Sequence, residues 1–304
     1  MTAASKPVTG HRMCFAGTAG NRLIGDEFRL EGARGATVVL THGGGQTRHS
    51  WQATAEELAR AGFRAITFDQ RGHGDSDWVA GGAYTFDDYA DDLAAVARAL
   101  VAAGSPPPVV VGASLGGIAG LLAAGEGAPG LISALVLVDI APRVKADGVA
   151  RILAFMAADA ERGFSSLEAA ADAISAYLPH RPRPSDLSGL SKNLRRGADG
   201  RYRWHWDPRF LEQRVDAVEH AGHLQARQTE AARRLTIPAL LVRGRESELV
   251  GEDEAAEFLH LVAHAELADV SGARHMVAGD RNDVFTAAVT SFLARTLGAA
   301  PAAR

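Results

Sequence analysis

A serine, a histidine and a carboxylate, the three groups that together carry out acyl transfer, each occur in this chain where a short apolar run ends. Ser114 follows "VVVGA" and precedes "LGGIAGLLAAG", which gives Gly-x-Ser-x-Gly over residues 112–116. A strand that turns at once into a helix holds the hydroxyl on a strained backbone, and neighbours larger than glycine collide with strand or helix. A serine at neutral pH is a weak nucleophile, so a base and an orienting acid are required. His275, in "SGARHMVAGD", follows the last strand-like run and is the expected base among eleven histidines. His42 and His73 lie in glycine-rich turns and read as structural, while His205 sits between Trp204 and Trp206.

The acid should follow another strand, earlier in the chain than the histidine. Glu248, in "RGRESELV", fits best, with Glu246 close by, and Asp139 at the end of "ALVLVD" is the alternative. As a purely structural group, Asp139 would cap the turn toward Pro142. Acyl transfer also needs N–H donors aimed at the developing oxyanion. The amide of Leu115, after the serine, and that of Gly44, in "HGGG" (42–45), are the expected pair. A phosphate-binding glycine loop is excluded, because no lysine follows at the required spacing.

The elements that must position these groups are short, near-continuous apolar runs: "ATVVLT" (36–41), "RAITF" (64–68), "PVVVGA" (108–113), "ALVLVD" (134–139), "PALLVRG" (238–244) and a last one near 265–270. Runs without alternation fit parallel strands covered on both faces, and their alternation with helical patterns predicts an α/β fold with a mostly parallel central sheet. "RMCFAG" and "RLIGDEFRL" read as an antiparallel pair. Between residues 142 and 235 the pattern turns helical, with no strand run and a last helix over about Val215–Arg234. The expected division is therefore a core of 1–141 and 236–304 with a helical cap of 142–235. Trp51 and Trp78, near the glycine loops, are candidates to line a substrate pocket. Trp204 and Trp206, with Phe155 and Met156, are candidates for its apolar ceiling.

Composition narrows the partners. The 304 residues carry a formal net charge of −4 and no basic cluster, which speaks against nucleic acid. The single cysteine, Cys14, excludes an intramolecular disulfide and a Cys-rich metal site, and suggests a reducing compartment. No apolar run reaches membrane-spanning length, and "MTAASKPVTG" lacks the apolar centre of a signal peptide. A cytoplasmic protein acting on a small molecule, with no cofactor or metal, is the expectation. Oligomeric state is not legible.

Together these motifs resemble the α/β-hydrolase superfamily over nearly the whole chain. The order Ser…acid…His, "HGGG" after the third strand and "GASLGG" after the fifth carry the resemblance, as does "FDQRGHGDSD" (68–77), similar to the family's D-x-R-G-x-G-x-S loop. The resemblance implies that Asp69 and Arg71 hold the floor of the site and that 142–235 is a lid. The branch it points to is the epoxide-hydrolase-like and haloperoxidase-like group with a small helical cap. Members that open epoxides or remove halides carry aspartate at the elbow; Ser114 excludes an alkyl-enzyme ester there. The acid departs from the family's commoner aspartate if it is Glu248. The implied activity is cofactor-independent hydrolysis of a carboxylic ester. Carbon–carbon bond hydrolysis, lactone opening and perhydrolysis use the same groups, and a non-catalytic small-molecule receptor is the alternative of another class.

Overall fold

The computed structural model describes residues 8, 10–33, 35–213 and 221–297. An eight-stranded sheet is built from β1 (Gly10–Ala16), β2 (Arg22–Phe28), β3 (Thr37–Thr41), β4 (Arg64–Phe68), β5 (Val109–Ala113), β6 (Ala134–Val138), β9 (Ala239–Gly244) and β10 (Glu266–Val270), in the order β1-β2-β4-β3-β5-β6-β9-β10. The hairpin β1–β2 joins β4 antiparallel, and every later pair is parallel. The sheet is mostly parallel, as the sequence pattern predicts, and its architecture is the one that the resemblance to α/β-hydrolases implies. β3 and β6 are buried at every position, as unbroken valine and leucine runs require, while the edge strand β10 alternates toward solvent.

Helices cover both faces. On one side α1 (Gln52–Arg60) and α9 (Asn282–Leu297) pack on Val38, Leu40, Val111 and Val242. On the other, α2 (Phe86–Ala102), α3 (Leu115–Gly125), α6 (Ala221–Arg233) and α7 (Glu252–Leu261) close over Val39, Ile66, Val110 and Leu137. α2 begins where it does because Thr85 and Asp88 cap it reciprocally, each side chain taking a backbone N–H of the other.

The segment between β6 and β9 holds α4 (Ala146–Ala158) and α5 (Leu167–Tyr177), and also a small hairpin, β7 (Leu194–Arg196) with β8 (Tyr202–Trp204). The sequence reading expected no strand here. Three-residue strands with three arginines among their six residues carry no apolar signal. The hairpin is fixed instead by side-chain packing of Trp204 on Phe155 and Phe164. The last expected helix is described from Ala221, its first residues lying outside the described ones, and it packs on α3 rather than over the site. A Cβ on Gly125 would lie 2.3 Å from the carbonyl of Ala231, so this return helix is seated in the core.

Candidate active site

The chain leaves β5 through a turn that only glycines allow. A Cβ on Gly112 would lie 2.4 Å from the carbonyl oxygen of Gly116, and one on Gly116 would lie 2.5 Å from Thr41 Oγ1. Between them Ser114 adopts φ 46° and ψ −113°, outside the regions an L residue favours. Its amide donates to the carbonyl of Val138 at 3.2 Å, which ties the elbow to the end of β6.

Asp139 is the next residue, and it too has a positive φ, of 50°. Ser114 and Asp139 are the two non-glycine residues with positive φ among those described. That conformation turns the fully buried Asp139 carboxylate across the end of β9. Gly244 N–H donates to Oδ1 at 3.0 Å, Ser247 Oγ to Oδ2 at 2.5 Å, and His275 Nδ1 lies 2.8 Å from Oδ2. Burial pushes the Asp139 carboxyl above its usual range, opposed by the hydrogen bonds from His275, Ser247 and Gly244. His275 comes from the loop after β10, and its side chain is 14% exposed. All these groups stand at the carboxyl ends of parallel strands, where open α/β sheets place their ligands.

The carboxylate on His275 is that of Asp139, not Glu248. The loop after β9 decides this. Ser247 N–H closes a turn onto Gly244, and Ser247 Oγ also accepts the amides of Leu249 and Val250 at 3.0 and 3.1 Å. The residue that points at Asp139 is therefore Ser247, and the backbone of its successor packs on α4. A Cβ on Gly148 of that helix would lie 2.2 Å from the Glu248 carbonyl. Glu248 borders a cavity of about 440 Å³ with Lys145, Asp147 and Arg151. Glu246, at an exposed position, is not on His275 either.

The "HGGG" loop follows β3. Gly43 and Gln46 close a turn with Gly45 at φ 78°, a position that favours glycine. Gly43 N–H is taken by Gln46 Oε1 at 3.0 Å and Gly45 N–H by His73 Nε2 at 3.1 Å. The amides of Gly44 and Leu115 donate to no group among the described residues. A Cβ on Gly43 would lie 3.4 Å from Ser114 Cβ, which sets this loop beside the elbow.

Two histidines serve the loop itself. His42 Nδ1 lies 2.8 Å from the carbonyl of Gly43, and its Nε2 accepts from Gln70 N–H at 3.0 Å. Complete burial lowers its pKa to about 4, so the ring is neutral, with the proton on Nδ1. His73 bridges the loop to the carbonyl of Arg71 in the same manner. Below them Asp69 accepts the amides of Arg48 and Asp75 and the Arg48 guanidinium, while Arg71 forks onto Asp92 at 2.7 and 2.6 Å.

The segment between β6 and β9 reaches the glycine loop through Met156, Trp206 and Phe210. Cβ atoms on Gly44 and Gly45 would lie 2.9 Å from Phe210 Cζ and 2.8 Å from Met156 Cε, and Trp206 Nε1 is 3.6 Å from the latter position. Trp204 packs against Phe155. Trp51 lies elsewhere. It is buried on the opposite face of the sheet, 5.6 Å from the Phe285 ring, because it opens α1 and turns with that helix's inner face. Trp78 is 42% exposed and lies beneath Arg195 of the β7–β8 hairpin. Ser247 escaped the sequence reading altogether; a serine beside two glutamates carries no signal of its own.

The model of a family described as serine aminopeptidase, S33, matches residues 32–282. The chain is an α/β-hydrolase of this family. The hydrolase is 33% identical over 237 residues to esterase Rv0045c of Mycobacterium tuberculosis, covering 77% of this chain and 74% of that one. It is 30% identical over 233 residues to the 2-(acetamidomethylene)succinate hydrolase of Mesorhizobium japonicum, covering 76% and 78%. The crystal structure of the mycobacterial esterase superposes with a TM-score of 0.72 at 28% identity, over 96% of this chain and 93% of that one. A crystal structure of E-2-(acetamidomethylene)succinate hydrolase superposes with a TM-score of 0.77 at 24% identity, over 94% and 99%, a likeness of fold. Among the described residues of the hydrolase no helix is long and apolar enough to cross a membrane, and no cluster of His, Cys, Asp or Glu is arranged to hold a metal.

Proposed function

We propose that the protein hydrolyses carboxylic esters of small to medium, partly apolar molecules through an acyl-enzyme on Ser114. In this reading His275 takes the Ser114 proton through Nε2 and returns it to the leaving alcohol. Asp139 holds Nδ1–H and stabilises the imidazolium as it forms. The Gly44 and Leu115 amides receive the oxyanion, and water then cleaves the acyl-enzyme with His275 as base. The observation that carries the reading is the 2.8 Å contact of His275 Nδ1 with a buried carboxylate, at the same strand edge as a serine held at positive φ. Resemblance to the mycobacterial esterase supports the choice of an ester. The apolar roof of Met156, Trp204, Trp206 and Phe210 supports a partly apolar acyl or alcohol group.

Intact mass after exposure to a fluorophosphonate, beside a panel of p-nitrophenyl esters, tests it. One adduct mapped to Ser114, with ester turnover abolished in Ser114→Ala, is expected. An unlabelled, folded protein inert toward every ester would overturn it. A second reading, hydrolysis of a bond other than an ester, draws on the relative whose name gives 2-(acetamidomethylene)succinate as its substrate. The same Ser114 adduct with turnover of that compound alone would favour it.

A further inference from the structure

A second buried carboxylate is aimed at the histidine loop. Asp280 ends the short helix α8 (Val277–Asp280), and its side chain is 3% exposed. Its Oδ2 accepts the amide N–H of Arg274, the residue before His275, at 2.9 Å. Its Oδ1 accepts Arg181 Nε at 2.5 Å and lies 3.3 Å from His180 Nε2. Arg181 belongs to the cap, in the turn that follows α5. Its Nη2 donates to the carbonyl of Met276, the residue after His275, at 3.2 Å. One cap guanidinium therefore holds the backbone on one side of His275, and the carboxylate it pairs with holds the other.

This is unlike an ordinary ion pair between cap and core. The neighbouring Arg183–Asp172 pair is exposed at both ends and stays within the cap. An exposed pair of that kind contributes little. Arg181 instead uses two donors of its planar fork on two acceptors at once, a geometry that lysine does not reproduce. The approach is close: a Cβ on Gly279 would lie 2.7 Å from Arg181 Nη2.

We propose that Arg181 and Asp280 form a clamp through which the docked cap fixes the position of His275. Both are positioning residues, and neither touches the reacting atoms. With the cap seated the imidazole is held on Asp139, at the sheet edge that carries Ser114, and it leaves that position when Arg181 lifts away. The proposal rests on the Ser114–His275–Asp139 reading of the site.

Two measurements on Arg181→Ala, Arg181→Lys and Arg183→Ala test it. Amide hydrogen exchange of the peptide spanning 271–281 reads the clamp without any substrate. Ester kinetics, split into kcat and KM, read its effect on chemistry. Arg181→Ala should exchange faster in that peptide and lose kcat by roughly 10- to 100-fold, the range a misplaced catalytic group produces, with KM little changed. Arg181→Lys should recover part of the kcat, and Arg183→Ala should match the parent in both. Unchanged exchange in Arg181→Ala, or faster exchange at the parent's kcat, would overturn the clamp. So would a loss in Arg181→Ala confined to KM. A parent that neither turns over esters nor labels at Ser114 would overturn the esterase reading, and the exchange comparison would still decide whether Arg181 holds the loop.

Discussion

His275 and Asp139 are 136 residues apart in the chain, and Nδ1 of one lies 2.8 Å from Oδ2 of the other. The contact joins the ends of β10 and β6, which are not neighbours in the sheet; β9 runs between them. Asp139 spans that gap because its backbone turns at a positive φ, and Gly244 at the end of β9 supplies an N–H to steady it.

Replacing each carboxylate in turn separates the two candidate acids. Asp139→Asn keeps the shape but favours the wrong imidazole tautomer, and is expected to lower kcat for ester hydrolysis by roughly 1,000- to 10,000-fold. Glu248→Gln should stay within about threefold of the parent, as a substitution away from the contact does. The reverse ranking in steady-state kinetics would return the acid to Glu248.

Ser247 acts on stability as well as orientation. Its hydroxyl donates to Asp139 and accepts two loop amides, so Ser247→Ala leaves buried polar groups short of a partner. A loss of about 1–3 kcal/mol in urea unfolding is expected. An unchanged unfolding midpoint would show that the loop satisfies those groups by another route.

Stability should also fall in acid through His42. Its folded pKa is lowered to about 4 while the unfolded ring titrates near 6.5, so below pH 6.5 protons bind the unfolded state preferentially. Its contribution is complete above pH 6.5 and is lost as pH falls toward 4, on the order of 3 kcal/mol in all. His205, also lowered to about 4, changes stability with the same sign. Unfolding free energies at pH 7 and pH 4.5 should therefore differ less in His42→Gln than in the parent. Parallel losses in the two proteins would remove His42 from the account.

What the sequence shows and what it hides follow from the range of the forces involved. β3, β5, β6 and β9 are legible because burial on both faces demands unbroken runs such as "TVVL" and "ALVLV". The elbow is legible because steric demand selects glycine at 112 and 116 whatever the rest of the chain does. The choice between Asp139 and Glu248 is not local. Both follow strands at the same sheet edge, and it is Asp139 that meets His275, with Ser247 rather than Glu248 reaching it from the loop after β9. Trp51 misleads for a similar reason. It stands close after the glycine loop in the chain, but the rotation of α1 sends its ring to the far face of the sheet.

The positive φ shared by Ser114 and Asp139 has a consequence for how such a chain changes under selection. Each residue holds a conformation that glycine would accept at lower energy, on the order of 1–3 kcal/mol per site. At 139 the three hydrogen bonds on the carboxylate oppose that gain, so selection for heat resistance alone would favour replacing Ser114, the side chain the proposed chemistry needs most. Thermostable variants recovered without an activity screen should be enriched in dead proteins, and libraries built for robustness should hold position 114 fixed.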